Sequence, residues 1–282
     1  MQANRHARGA VSRRGFLAGA AGAALGTTLV PRAASGADAA PGVDVPPEDY
    51  RVQNGRIKQS VYGWCFKPMP MEKLIEATHR MGVQAMDIGS AHYPRLRELG
   101  MRPAMTGGHG FTKGPFSRDN HAHCIQGLRK GIDLAVQWGA KHCITFTGMR
   151  AKGVTDEQGA QNCVDCWKQV MPYAEEKGIN LCLEILNTRD SSHPMKGHPG
   201  YFGDDVERCI DLIKRVDSPR MKLLFDVYHV QVMNGDIIRR IRQHHEHIGH
   251  YHVAGCPGRG ELDDTQEINY PAVMRAIIET GY

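Results

Sequence analysis

The sequence predicts an α/β protein, a parallel barrel of the TIM (β/α)8 type, on three observations. From Ile57 onward, short apolar runs alternate with amphipathic stretches, the pattern of parallel strands joined by helical crossovers. The apolar runs end in polar or charged residues, which is where such barrels carry their chemistry. The alternation also spans a length that suits one barrel of about 250 residues. An open doubly wound sheet is the weaker reading. No glycine-rich phosphate loop follows the first strand, and Gly107-Gly108-His109-Gly110 after the third lacks the spacing of one.

The elements follow in order. Strand-like runs cover 60–66, 85–89, 102–106, 142–147, 180–186, 221–229 and 250–254. Helical patterns cover 71–81, 121–138, 156–177, 204–216, 237–247 and 270–280. Gly82, Gly139 and Gly178 stand just past three of these helices, where a left-handed residue closes the last turn. Seven strands and a last helix leave the count one strand short, so the sequence is expected to lack the eighth β/α unit of the barrel.

Ahead of the barrel, Ser12-Arg13-Arg14-Gly15-Phe16-Leu17 is a twin-arginine motif. A weakly apolar run over 17–30 follows, and Ala37-Asp38-Ala39 offers an A-x-A cleavage site. The expected organisation is a twin-arginine signal peptide over 1–39, a linker over 40–56 containing Pro41, Pro46 and Pro47, and the barrel over 57–282. Its destination is periplasmic or secreted. Charge is mild, with 35 Lys and Arg against 30 Asp and Glu, and no basic run is interleaved with aromatics. Nucleic acid is therefore not an expected partner, and no stable membrane span is expected after the leader is removed. The expected partner is a small-molecule keto acid or sugar, with homo-oligomerisation left open. Of the eight cysteines, Cys143 and Cys182 fall in strands, and Cys124, Cys163, Cys166 and Cys209 in helices. They read as buried small hydrophobes rather than disulfides, and the lone Cys163-Val164-Asp165-Cys166 lacks a second pair for a zinc site.

The strand ends supply the chemistry. Glu184, Asp226 and His252 close three consecutive apolar strands, and a polar group there is costly unless it is paired or bound to metal. Two carboxylates and an imidazole suit Mn²⁺ or Mg²⁺ and also accept Co²⁺ or Zn²⁺. The alternative is three unrelated polar residues that hold loops.

The motifs Gln59-Ser60-Val61-Tyr62-Gly63-Trp64-Cys65-Phe66, Leu183-Glu184-Ile185-Leu186-Asn187, Phe225-Asp226-Val227-Tyr228-His229 and Pro257-Gly258-Arg259-Gly260-Glu261 resemble the hydroxypyruvate isomerase family. More broadly they resemble the sugar isomerases and epimerases of the xylose-isomerase-like superfamily. The resemblance runs from Ile57 to the end of the sequence. It implies a divalent metal held by Glu184, Asp226, His252 and a further glutamate on strand eight. It also implies aldose–ketose isomerisation (an intramolecular oxidoreductase) through an enediolate, with Glu184 as one of the acid–base pair. His252 stands where hydroxypyruvate isomerases have Gln and is closer to the ketose epimerases. His229 is expected to donate to a substrate oxygen, with a loop-ordering role as its alternative. Arg259 is expected to clamp a carboxylate or hydroxyl pair, with Glu261 orienting it or forming a solvated bridge. His109, Asn187 and Arg189 are further pocket candidates. His244, His245, His247 and His250 read as a helix end and loop rather than a metal cluster. Competing functions are epimerisation, metal-dependent cleavage by a lyase, hydrolase or endonuclease relative, and an exported sugar-binding protein without catalysis.

Overall fold

In the computed structural model, which describes residues 49–282, all pairings between the named strands are parallel. One sheet runs β1 (Ser60–Tyr62), β2 (Ala85–Asp87), β3 (Arg102–Pro103). The second runs β4 (Thr106–Gly107), β5 (His142–Thr145), β6 (Asn180–Glu184), β7 (Met221–Asp226), β8 (Ile248–His252). The strands follow one another in chain order, as a β/α barrel requires. The expected leader over 1–39, and the linker as far as residue 48, lie outside the described residues. Among the described residues no helix is long and apolar enough to cross a membrane.

The helices start where side chains satisfy their free amides. Thr155 and Gln158 form a reciprocal capping box at α4 (Asp156–Lys168), and Asp205 caps α6 (Val206–Val216) by accepting from the Arg208 amide. Gly139 ends α3 (His121–Trp138), and Gly178 ends α5 (Met171–Lys177), both in the left-handed region.

The departures from the expected elements have local causes. The run 102–106 is two strands, because Pro103 has no amide to donate and the Met105 amide goes instead to Asp87 Oδ1 at 3.2 Å. The run 60–66 is strand only to Tyr62. It then turns into a 3₁₀ helix, Gly63–Phe66, at a glycine packed so closely that a Cβ would lie 2.6 Å from Ile88. The stretch 221–229 becomes helix α7 (Val227–Met233) straight after Asp226, whose carboxylate caps the His229 amide at 3.0 Å. The helix 156–177 breaks before Met171 because Pro172 opens a new first turn. Helix α2 (Tyr93–Glu98) was not foreseen.

Side-chain alternation divides each strand between two environments. Leu181, Leu183, Leu223 and Phe225 join the large core formed with the helices, whereas Met105, Ile144, Cys182 and Leu224 form a separate cluster inside the sheet. All eight cysteines are free, and all but Cys65 are buried. That is the small-hydrophobe role expected from their positions.

Candidate active site

Glu184 and Asp226 end β6 and β7, and His252 ends β8. Parallel pairing sets Asp226 opposite His252. The three side chains each bring a ligand atom within 4.8 Å of the others. His252 Nδ1 lies 3.0 Å from Glu184 Oε1 and 4.0 Å from Asp226 Oδ2. Burial alone would lower the His252 pKa. The Glu184 hydrogen bond and the charges of Glu184, Asp226 and Asp87 outweigh it and raise the value. Asp226 shows the complementary balance: burial pushes its carboxyl up, but His229, Arg259 and His252 hold it below the usual range. Asp226 is 1% exposed and Glu184 6%, so both carboxyl groups are withdrawn from water. Two carboxylates and one imidazole converging at this depth fit a divalent cation.

His229 is buried beside them, and its hydrogen bonds fix its tautomer. The Asn187 backbone amide donates to Nδ1 at 3.0 Å, and the Asn187 side-chain amide lies 2.7 Å from the same nitrogen. Nδ1 must therefore carry the lone pair, and the proton resides on Nε2. That nitrogen is buried, has no hydrogen-bond partner, and lies 3.8 Å from Asp226 Oδ2. Burial holds His229 neutral, with its pKa pushed down to about 3. The result is a neutral N–H donor aimed at the cluster.

Arg259 reaches the same carboxylate from the loop after β8. Its Nη2 is 3.1 Å from Asp226 Oδ2, and its Nη1 donates to the Met195 carbonyl at 2.7 Å. Its guanidinium lies 5.3 Å from the Trp64 ring and 5.8 Å from that of Tyr228. The backbone at Arg259 is left-handed (φ 56°), inside a loop pinned by reciprocal hydrogen bonds between Gly255 and Gly260.

The other expected residues divide. Asn187 is fully engaged, holding His229, the Lys196 carbonyl and the Asp190 amide, so its contribution is to position His229. Glu261 is exposed and makes no ion pair with Arg259, whose partners are Asp226 and the Met195 carbonyl. His109 is buried with both nitrogens occupied, by the Gly110 carbonyl at 3.1 Å and Thr145 Oγ1 at 2.9 Å. Arg189 bonds the Val232 carbonyl. His244 faces Glu207 at 3.2 Å, and His245 holds the Arg242 carbonyl at 2.9 Å, in keeping with a helix end.

Two residues were missed. Asp87 ends β2 at the mouth, and His250, set aside as a ligand with the neighbouring histidines, lies inside β8. The strand-end rule would have found Asp87, which follows Ala85-Met86. A cavity of about 580 Å³ lies at the opposite, N-terminal ends of the strands, among residues that include Ser60, Arg102, His142 and Tyr282. The converging carboxylates lie instead at the C-terminal ends.

A parallel β/α barrel with buried carboxylates and an imidazole meeting at its C-terminal strand ends defines the class. Residues 94–282 match the family model described as Xylose isomerase-like TIM barrel. The chain belongs to that family. It is 28% identical to the hydroxypyruvate isomerase of Escherichia coli (strain K12) over 167 residues, which are 56% of this chain and 62% of the relative. It is 33% identical to the 2-oxo-tetronate isomerase of Cupriavidus necator over 109 residues, 39% of each chain. The chain thus spans less than two thirds of the length of these curated relatives. Among solved structures, D-psicose 3-epimerase from Clostridium cellulolyticum H10 superposes with a TM-score of 0.64 at 18% identity, covering 80% of this chain and 82% of that one. The IolI protein, solved with a zinc atom, superposes at 0.62 with 16% identity, covering 80% and 86%. At these identities the likeness concerns the fold.

Proposed function

We propose that this chain is a divalent-cation-dependent isomerase that interconverts a small 2-keto acid or ketose with its aldehyde isomer through an enediolate. The observation that carries this reading is the convergence of Glu184, Asp226 and His252 at adjacent strand ends. The sequence similarity to hydroxypyruvate and 2-oxo-tetronate isomerases supports the substrate class. A cation held by these three residues, Mn²⁺ or Mg²⁺ before Co²⁺ or Zn²⁺, would supply positive charge for the oxygens of the enediolate.

The protein's own groups account for the rest. Glu184 removes the proton on the carbon next to the carbonyl. The C–H electron pair becomes the new C=C bond, and the carbonyl oxygen takes the charge. The proton returns to the former carbonyl carbon, and the neighbouring hydroxyl gives its own proton to the former carbonyl oxygen, which moves the carbonyl by one carbon. His229 Nε2–H donates to a substrate oxygen. Arg259 binds a substrate carboxylate or hydroxyl pair, its guanidinium held between Asp226 and the Trp64 ring.

Exchange of solvent deuterium into a panel of keto acids and ketoses, with Mn²⁺ present, tests the proposal. Wild type exchanges at least one of them. Glu184→Gln lowers the rate by on the order of 10²–10⁴, as expected for loss of a positioned base, with an unchanged circular dichroism spectrum. Exchange at the wild-type rate in that variant removes Glu184 as the base.

A second reading, ketose epimerisation, is favoured by the imidazole at position 252. The same experiment separates the two. An isomerase yields a labelled aldehyde, whereas an epimerase yields only the labelled ketose of inverted configuration.

A further inference from the structure

Below the mouth, the barrel interior is apolar where it is lined by Met105, Ile144, Cys182 and Leu224. One member of β8 breaks this layer. His250 stands opposite Leu224 in the β7–β8 ladder, two residues before His252 and on the same face of the strand. The rings of the two histidines are 5.3 Å apart and nearly perpendicular. Nε2 of each is buried without a hydrogen-bond partner. A buried, unpaired ring nitrogen is costly, and two side by side on one strand call for a common ligand. Asp87 completes the group: Asp87, His250 and His252 each bring a ligand atom within 4.8 Å of the others.

Asp87 is 5% exposed and already oriented. Ser60 Oγ donates to Oδ2 at 3.1 Å, and the Met105 amide donates to Oδ1 at 3.2 Å. Hydrogen bonds of this kind fix a ligating carboxylate while leaving each oxygen a further lone pair.

We propose that Asp87, His250 and His252 form a second, inner cation seat beneath the mouth, selective for nitrogen-preferring dications of the Co²⁺ and Zn²⁺ class. The two seats differ in chemistry. The mouth offers two carboxylates and one imidazole, a set that oxygen-preferring Mn²⁺ and Mg²⁺ accept. The inner seat offers two imidazoles and one carboxylate, which favours the later metals. They share His252, whose Nδ1 faces Glu184 and Asp226 while Nε2 has no protein partner. A neutral imidazole has one lone pair, so the seats are alternatives and a cation in one withdraws His252 from the other. His250 also lines the cavity at the floor of the barrel, where water can complete the coordination.

The test is one equivalent of Co²⁺ added to the full chain, read by proton NMR of the paramagnetically shifted, exchangeable imidazole N–H signals. Co²⁺ in the inner seat shows two such signals and in the mouth only one. Wild type is expected to show two, His250→Gln one, and Glu184→Gln still two. Asp87→Asn retains partners for Ser60 and Met105, so it should keep both signals while binding Co²⁺ more weakly. A single signal in wild type that persists in His250→Gln overturns the inner seat. So does wild type that fails to bind Co²⁺. The readout is ligation and not turnover, so the inner seat and the isomerase reading succeed or fail separately.

Discussion

At the scale of single residues, the site depends on which proton each imidazole carries. His229 is a donor because Asn187 presents two N–H groups to its Nδ1, and burial keeps the ring neutral. Replacing that side-chain amide by a carboxylate reverses the arrangement: Asn187→Asp puts an acceptor and a negative charge where a donor was. The His229 pKa should then rise from about 3 as the ring takes a second proton. Nitrogen-15 NMR of the ring checks this. Wild type is expected to stay neutral, with the proton on Nε2, down to pH 4, whereas Asn187→Asp titrates above that pH and loses activity. A wild-type His229 that titrates near its ordinary value would refute the assigned tautomer.

At the scale of elements, the strand-to-helix junctions place the chemistry. Asp226 both ends β7 and caps α7, so the carboxylate facing the cluster also fixes the turn that brings His229 alongside. Helix α4 is seated differently, by the absence of a side chain. A Cβ on Gly159 would lie 1.9 Å from the Phe116 ring, which is wholly buried against Phe202. Helix propensity alone would make Gly159→Ala stabilising. Overpacking reverses the sign, and the variant should lose about 1–3 kcal/mol. Thr155→Ala, which removes only the cap of the same helix, should lose about 1 kcal/mol. Urea midpoints check both values. A Gly159→Ala variant as stable as wild type would mean that α4 moves away from Phe116 at little cost.

At the scale of the whole molecule, the buried imidazoles set the acid limit of the metal-free chain. Burial lowers His142 to about 4, His229 to about 3, and His250 well below its ordinary value. As pH falls below about 6.5 the unfolded chain takes up protons that the folded chain refuses, so stability declines on the acid side. Each of the three contributes a slope of up to about 1.4 kcal/mol per pH unit, for His142 down to about 4. His252 has a raised pKa, so it binds its proton more readily in the folded chain and opposes the decline until pH falls below the ordinary histidine value, where its contribution is complete. Urea midpoints measured from pH 7 to pH 4 should fall steadily, and His142→Gln should remove one histidine's share of the slope. A flat profile would place these rings in contact with water.

The sequence by itself determined the alternation of strands and helices and the placement of Glu184, Asp226 and His252 at three successive strand ends. These depend on local periodicity and on the cost of a polar group in an apolar run, which act within a few residues. It also carried His229, whose position three residues beyond Asp226 is a local relation. The tertiary structure decided what depends on distant neighbours. It split the third strand, because Pro103 has no amide to donate and Asp87 takes the Met105 amide. It gave His109 two structural partners and turned Asn187 from a pocket residue into the group that orients His229. It separated Arg259 from Glu261 and set it on Asp226. It also set His250 in the barrel interior beside Asp87, more than 160 residues away in the sequence. Only packing brings such residues together, and no spacing along the chain records it.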